Sequence, residues 1–292
     1  MKTIKYPDKT EWPKLITRPE IHIEDLENTV NKIFTEIREN GDKAVKKYTS
    51  KFDNVELKTI QVTGNELSLA KKSISDELIS AIELAIRNIG KFHIAQIEKT
   101  KIIETTKGVL CWRESRPIEK IGFYIPGGTA PLFSTVLMLG IPAKLAGCKE
   151  IILCTPPDKK GNINPVILWT AMIVGVTSIF KVGGIQAIGA MTFGTQSIPK
   201  VDKIFGPGNQ YVTAAKQIAQ KYQVATDMPA GPSEVLVIAD SSSNLEFVAA
   251  DLLSQAEHGP DSQVILLSDD LHIIVKTVDE LNKQLKKIPR KA

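Results

Sequence analysis

Sulfur, imidazole and long apolar runs are all scarce in this chain of 292 residues. The three cysteines, Cys111, Cys148 and Cys154, sit in apolar surroundings without metal-ligand spacing, so buried, reduced thiols are expected rather than a zinc cluster or a disulfide framework. No apolar stretch approaches the roughly 18 residues of a membrane-spanning helix. The amino terminus, MKTIKYPDKTEWPK, is polar and has no signal-peptide core, so a cytoplasmic location is expected and no membrane partner. Nucleic acid is not an expected partner either. The net charge is a mild +4, and basic residues are not interleaved with aromatics in the way that stacks bases. The cluster Lys283, Lys286, Lys287, Arg290 and Lys291 reads as the solvated face of a last helix. The dinucleotide fingerprint G-x-G-x-x-G is absent, as are low-complexity tracts and short-period repeats.

What is present has the balance of an ordinary globular protein, 42% hydrophobic and 24% charged, and is long enough for one large domain or two ordinary ones. Residues 1–20 form a polar arm with Trp12, too poor in apolar side chains for a core. Over 23–48 apolar residues recur at helical spacing (Leu26, Val30, Ile33, Phe34, Ile37, Val45), broken at Asn40-Gly41-Asp42. Helix is expected again over 66–98, with a pause at 73–76, and strand over 109–115. After Pro117 strand-like runs at 120–125, 150–154, 178–182 and 201–205 alternate with helical segments that start after Gly or Pro turns. That is the βαβ pattern of a parallel sheet. Strands at 234–239 and 263–268 continue it, and a helix over 270–287 closes the chain.

Three loops follow strands where such folds collect ligands: YIPGG (124–128), GGIQ (183–186) and GPGN (206–209). Glycines alone make these only tight strand-to-helix turns. The most unusual run is 225–263, ATDMPAGPSEVLVIADSSSNLEFVAADLLSQAEHGPDSQ. Its PAGP turn delivers Ser233 and Glu234 to a strand, and the polar residues 241–244 cap a helix running to about His258. Asp251, Gln255 and His258, at i, i+4 and i+7, share one face of that helix. Gln255 and His258 can offer an amide oxygen and an imidazole nitrogen to one cation, with zinc the expected guest. Two ligands do not close a site. Asp251 is either a partner of those ligands or a surface carboxylate. His22, His93 and His272 read as surface or packing histidines.

The run DMPAGPSEVLVIAD followed by DLLSQAEHG resembles the hallmark of histidinol dehydrogenases. The resemblance continues in ENGDKAVKKYTSKFD, IGFYIPGGTAPLFSTVLMLGIPAKLAGCKEIILCTPP, KVGGIQAIGA and VDKIFGPGNQYVTAAK, in the family's order. It implies two Rossmann-like α/β domains with parallel sheets after a helical N-terminal region. The first would combine 21–119 with 236–292, and the second, 120–235, would carry the NAD loops. It implies NAD contacts from Tyr124, Gln186 and Asn209, the aromatic ring packing on the cofactor and the amides bonding its ribose or phosphate oxygens. Ser233, Gln255 and His258 would meet the substrate, with Gln255 and His258 also binding zinc. The implied reaction oxidises L-histidinol through an aldehyde to L-histidine with two NAD⁺, in a homodimer. No residue of this chain matches the family's acid–base Glu-His pair, which is expected beyond Ala292 together with two further zinc ligands. The alternatives are a related alcohol dehydrogenase acting on an anionic substrate such as sulfopropanediol, and a shortened, non-catalytic chain that binds dinucleotide or pairs with another subunit.

Overall fold

A helix buries one stripe and a strand in a parallel sheet buries both faces; the placement of apolar residues follows these two rules throughout. The computed structural model describes residues 2–17, 23–127, 131–228, 234–257 and 262–288. The polar arm holds one short helix, α1 (Trp12–Leu15), with Pro13 in its first turn. Helix α2 (Ile23–Asn40) buries Val30, Ile33, Phe34 and Ile37, and α3 (Asp42–Asp53) buries Ala44, Val45, Tyr48 and Thr49. Between them Gly41 takes φ 53, and Asn54 ends α3 in the left-handed region. Helix α4 (Gly64–Ala70) opens with a capping box between Thr63 and Glu66, and α5 (Asp76–Ile94) is capped by Ser75. The expected pause between them is a 3-10 turn at Lys71–Ser73. An antiparallel hairpin follows, β1 (Ile102–Thr106) and β2 (Val109–Trp112), turning at Gly108.

From here strands and helices alternate: β3 (Lys120–Tyr124), α6 (Phe133–Ala146), β4 (Glu150–Thr155), α7 (Pro165–Val174), β5 (Ser178–Lys181), α8 (Gly184–Phe193), β6 (Lys203–Phe205), α9 (Gln210–Gln220) and β7 (Ala225–Thr226). The five strands form one parallel sheet in the order β5-β4-β3-β6-β7. Successive side chains point to opposite faces. Tyr124, Ile152, Cys154, Phe180 and Ile204 face the layer built from α2, α3, α8 and α9. Ile121, Phe123, Ile151, Leu153 and Ile179 face α6 and α7, with α4 and α5 on the same side. The β5 edge is closed by the segment before α4: Val62 donates to the Ile179 carbonyl at 2.9 Å, and Lys181 to Ile60 at 2.8 Å.

A second, smaller sheet pairs β8 (Glu234–Ile238) with β9 (Gln263–Leu267) in parallel, crossed by α10 (Leu245–Ala256) and followed by α11 (Leu271–Leu285). Its core is Ala239, Val248, Ala249, Leu252, Ile273 and Leu281. Among the described residues the other face of this sheet is largely uncovered, with Leu236, Ile238 and Leu267 each more than half exposed.

The chain divides into two compact units, Met1–His22 with Gly231–Ala292, and Ile23–Ala230. Residues 23–119 therefore sit with the five-stranded sheet, whereas the expected grouping joined 21–119 to 236–292. Helical spacing tells that α2 has an apolar face, not which sheet receives it; here α8 and α9 do. The cysteine expectation also needs correction. Cys154 is buried, but Cys148 is half-buried and Cys111 is exposed, because no layer among the described residues covers β1 and β2.

Candidate dinucleotide site

The chain leaves β3 toward β4 and β5 on one side, then returns to place β6 and β7 on the other. At such a reversal the loops after the two central strands diverge and open a crevice at the carboxyl edge of the sheet. Here that crevice lies between β3, which ends in Tyr124, and β6, which runs into the GPGN loop. The two approach so closely that a Cβ on Gly206, at φ 126, would stand 2.0 Å from the Tyr124 carbonyl oxygen. Only glycine fits there.

An ion pair pins this loop. The buried Lys216 on α9 donates to the Gly206 carbonyl at 2.8 Å and pairs with Asp227. Asp227 in turn accepts from the Gly206 amide at 2.8 Å. The N–H and the C=O of Gly206 are thus held by opposite charges that neutralise each other. Asn209 caps α9, its Oδ1 accepting from the Val212 amide at 3.1 Å, and the exposed side chain keeps its amide nitrogen at the surface.

The expected ring contact of Tyr124 meets a different setting. The ring lies in the core, and only its hydroxyl reaches the edge, where it accepts from the Gly184 amide at 3.2 Å. Burial pushes its pKa up to about 12, so the phenol stays neutral. Gln186, in the first turn of α8, is fully buried. Its Nε2 donates to Asp53 Oδ2 at 3.4 Å, while Oε1 is buried without a hydrogen-bond partner. Burial raises the Asp53 carboxyl from its ordinary 3.8 to about 6.

The fold thus brings Tyr124, Gln186 and Asn209 to one edge of one sheet, beside the amino ends of α8 and α9. Those helix ends favour anionic groups, and the lone buried acceptor on Gln186 awaits a donor. Both features fit a dinucleotide. Asp53, Lys216 and Asp227 escaped the sequence reading. Asp53 had one signal, a carboxylate at a helix carboxyl terminus, where the dipole favours cations. A groove of about 230 Å³ lined by Phe34, Arg38, Phe193 and Tyr222 lies at the carboxyl ends of α8 and α9, on the opposite edge of the sheet.

In the small unit Gln255 is half-buried near the end of α10, and its Nε2 donates to Ser262 Oγ at 3.3 Å. That leaves the Gln255 amide oxygen outside this hydrogen bond. The exposed Asp251 lies one turn earlier. Ser233 and His258 lie outside the described residues, so the pairing of Gln255 with His258 does too. Among the described residues, no three His, Cys, Asp or Glu side chains are grouped to hold a metal. His93 bonds Gln96 at 2.8 Å, a packing role.

The family model for histidinol dehydrogenase matches residues 16–292. The chain belongs to the histidinol dehydrogenase family. Histidinol dehydrogenases of Bacteroides thetaiotaomicron and Bacteroides fragilis are 58% and 56% identical over 291 residues, covering 100% of this chain and 68% of theirs. The crystal structure of histidinol dehydrogenase from Elizabethkingia anophelis superposes with a TM-score of 0.88 at 64% identity, over 98% of this chain and 66% of that one. The chain thus spans about two thirds of the length of these histidinol dehydrogenases. The family's Rossmann-like α/β architecture and NAD-dependent oxidoreductase chemistry accord with the parallel sheets and the carboxyl-edge site. No helix among the described residues is long and apolar enough to cross a membrane.

Proposed function

We propose that this protein oxidises L-histidinol through L-histidinal to L-histidine with two NAD⁺, as a cytoplasmic homodimer. The observation that carries the reading is the family match across residues 16–292. In this reading 120–235 is the dinucleotide-binding domain, and Tyr124, Gln186 and Asn209 hold the cofactor. Asn209 does so with its exposed amide, Gln186 with its unpartnered oxygen, and Tyr124 by fixing the Gly184 peptide from inside. Ser233, Gln255 and His258 meet the substrate, and Gln255 with His258 holds zinc, which when bound polarises the alcohol oxygen. Each hydride leaves carbon as a proton leaves oxygen, so the reaction needs a general base. Residues 1–292 contain one Glu-His pair, Glu257-His258, and its histidine is already assigned to the metal.

NADH formation from histidinol tests the reading. Residues 1–292 alone are expected to turn over at least about 10²-fold more slowly than the same chain supplied with the remaining third of a relative, since a positioned base contributes about 10²–10⁴ in rate. Rapid turnover by residues 1–292 alone overturns the assignment of the base. Turnover of an anionic diol such as dihydroxypropanesulfonate in preference to histidinol overturns the substrate.

A further inference from the structure

Asp53 is absent from the dinucleotide reading above, and the inference that follows rests on that reading and adds this residue to it. Asp53 closes α3, and the chain turns away at once through the left-handed Asn54. A carboxylate is poorly placed at a helix carboxyl end. Here it is also partly buried and has no cation beside it; Gln186 Nε2 is its hydrogen-bond partner among the described residues, at 3.4 Å. The fold holds a charge where neither burial nor the helix dipole favours it, and such a residue generally serves a ligand.

Gln186 supplies the independent observation. It is fully buried and its nitrogen is directed to Asp53, yet its Oε1 has no partner. A Cβ added to Gly184, at φ 57, would come within 3.0 Å of that oxygen, so glycine keeps the space beside it open. The Gly184 amide, two residues before Gln186, is given to the Tyr124 hydroxyl at 3.2 Å. Two acceptors therefore lie together near the start of α8: an amide oxygen with no donor, and a carboxylate whose partner among the described residues is the long bond from Gln186. A phosphate would bring a third acceptor and more negative charge. A vicinal diol brings two O–H donors in fixed geometry, which matches.

The position along the sheet says which diol. Asn209 stands on the β6 side of the crevice and Gln186 at the end of β5, two strands away on the other side. A dinucleotide seated over the crevice sends one nucleoside to each side. In doubly wound sheets an acidic side chain on the first-wound side takes the adenosine ribose. We propose that Asp53, held by Gln186, accepts the 2′,3′-hydroxyls of the adenosine ribose and repels a 2′-phosphate, which makes the site select NAD⁺ over NADP⁺.

The test is the affinity of the 292-residue chain for NAD⁺, for NAD⁺ lacking the adenosine 2′-hydroxyl, and for NADP⁺, in wild type and Asp53→Asn, by calorimetric titration. Wild type should bind NAD⁺ more tightly than either analogue. Asp53→Asn should weaken NAD⁺ about tenfold, as loss of a charge-assisted bond does, while weakening the 2′-deoxy analogue, which keeps only the 3′-hydroxyl for Asp53, clearly less, and narrowing the gap to NADP⁺. A purely structural Asp53 would weaken all three ligands alike, and that result overturns the proposal, as does no change in any of them. If wild type binds NAD⁺ and the 2′-deoxy analogue equally, the Asp53 assignment falls while the loop reading stands. If wild type binds no dinucleotide, the loop reading falls and takes this one with it. Should Asp53→Asn fail to fold, Asp53→Ser and the wild-type preference among the three ligands decide the same question.

Discussion

Asp53 illustrates how one residue can weaken a fold while equipping it. A carboxyl whose native pKa lies near 6 instead of 3.8 keeps its proton over a range where the unfolded chain has already released it. The native state therefore binds more protons between about pH 4 and pH 6, and its contribution to stability falls as pH rises through that window. Asp53→Asn removes this dependence. The difference in melting temperature between variant and wild type should be near zero at pH 4, grow toward pH 6 and stay constant above it, with the variant more stable. Carboxylates with lowered pKa, such as Glu66 beside Lys181, act in the opposite direction but cancel in the difference. A variant less stable than wild type at pH 7 would show that the charged carboxylate is a net stabiliser. The residues of the site were unequally legible. Tyr124, Gln186 and Asn209 were named by the family resemblance; the glycine-rich loops that hold them read, on their own, as tight turns after strands. Asp53 comes from a different helix, more than 130 positions from Gln186 in sequence, and only the packing of α3 on α8 brings them together.

Elements show the same division between what local chemistry states and what packing decides. Caps announce themselves: Thr63 with Glu66, Ser75, Asn164, Asn209, Asn244 and Asp270 each accept a first-turn amide as their residue types dictate. Strand β1 was missed because every residue of it is exposed, so no alternation between inside and outside marks it. The two-residue β7 is too short for any pattern. Asn209 lets a capping role be separated from a binding role. Asn209→Ala loses both and should cost about 1 kcal/mol of stability. Asn209→Ser keeps an oxygen for the Val212 amide but loses the amide nitrogen, so it should weaken NAD⁺ binding at nearly wild-type stability. Urea denaturation paired with dinucleotide titration checks this; equal affinity in wild type and Asn209→Ser would reduce Asn209 to a cap.

At the scale of the molecule, the alternation of strand and helix after residue 117 made the parallel sheet legible, but not the partner of the first hundred residues. An apolar stripe on α2 is satisfied by any apolar surface, and the sequence does not name one. The two units also differ in how well their sheets are covered. In Ile23–Ala230 helices lie on both faces of five strands; in the small unit Leu236, Ile238 and Leu267 face outward from two. Two strands with one covered face are marginal. Amide hydrogens of β8 and β9 should therefore exchange well before those of β3 and β4, and equal protection in the two sheets would contradict this. The bare face has a further consequence, for what a melting curve of this chain means. Heat should remove the small unit in a low transition and the large unit in a higher one, so a single midpoint fitted to the whole would describe neither of the two cooperative units it averages.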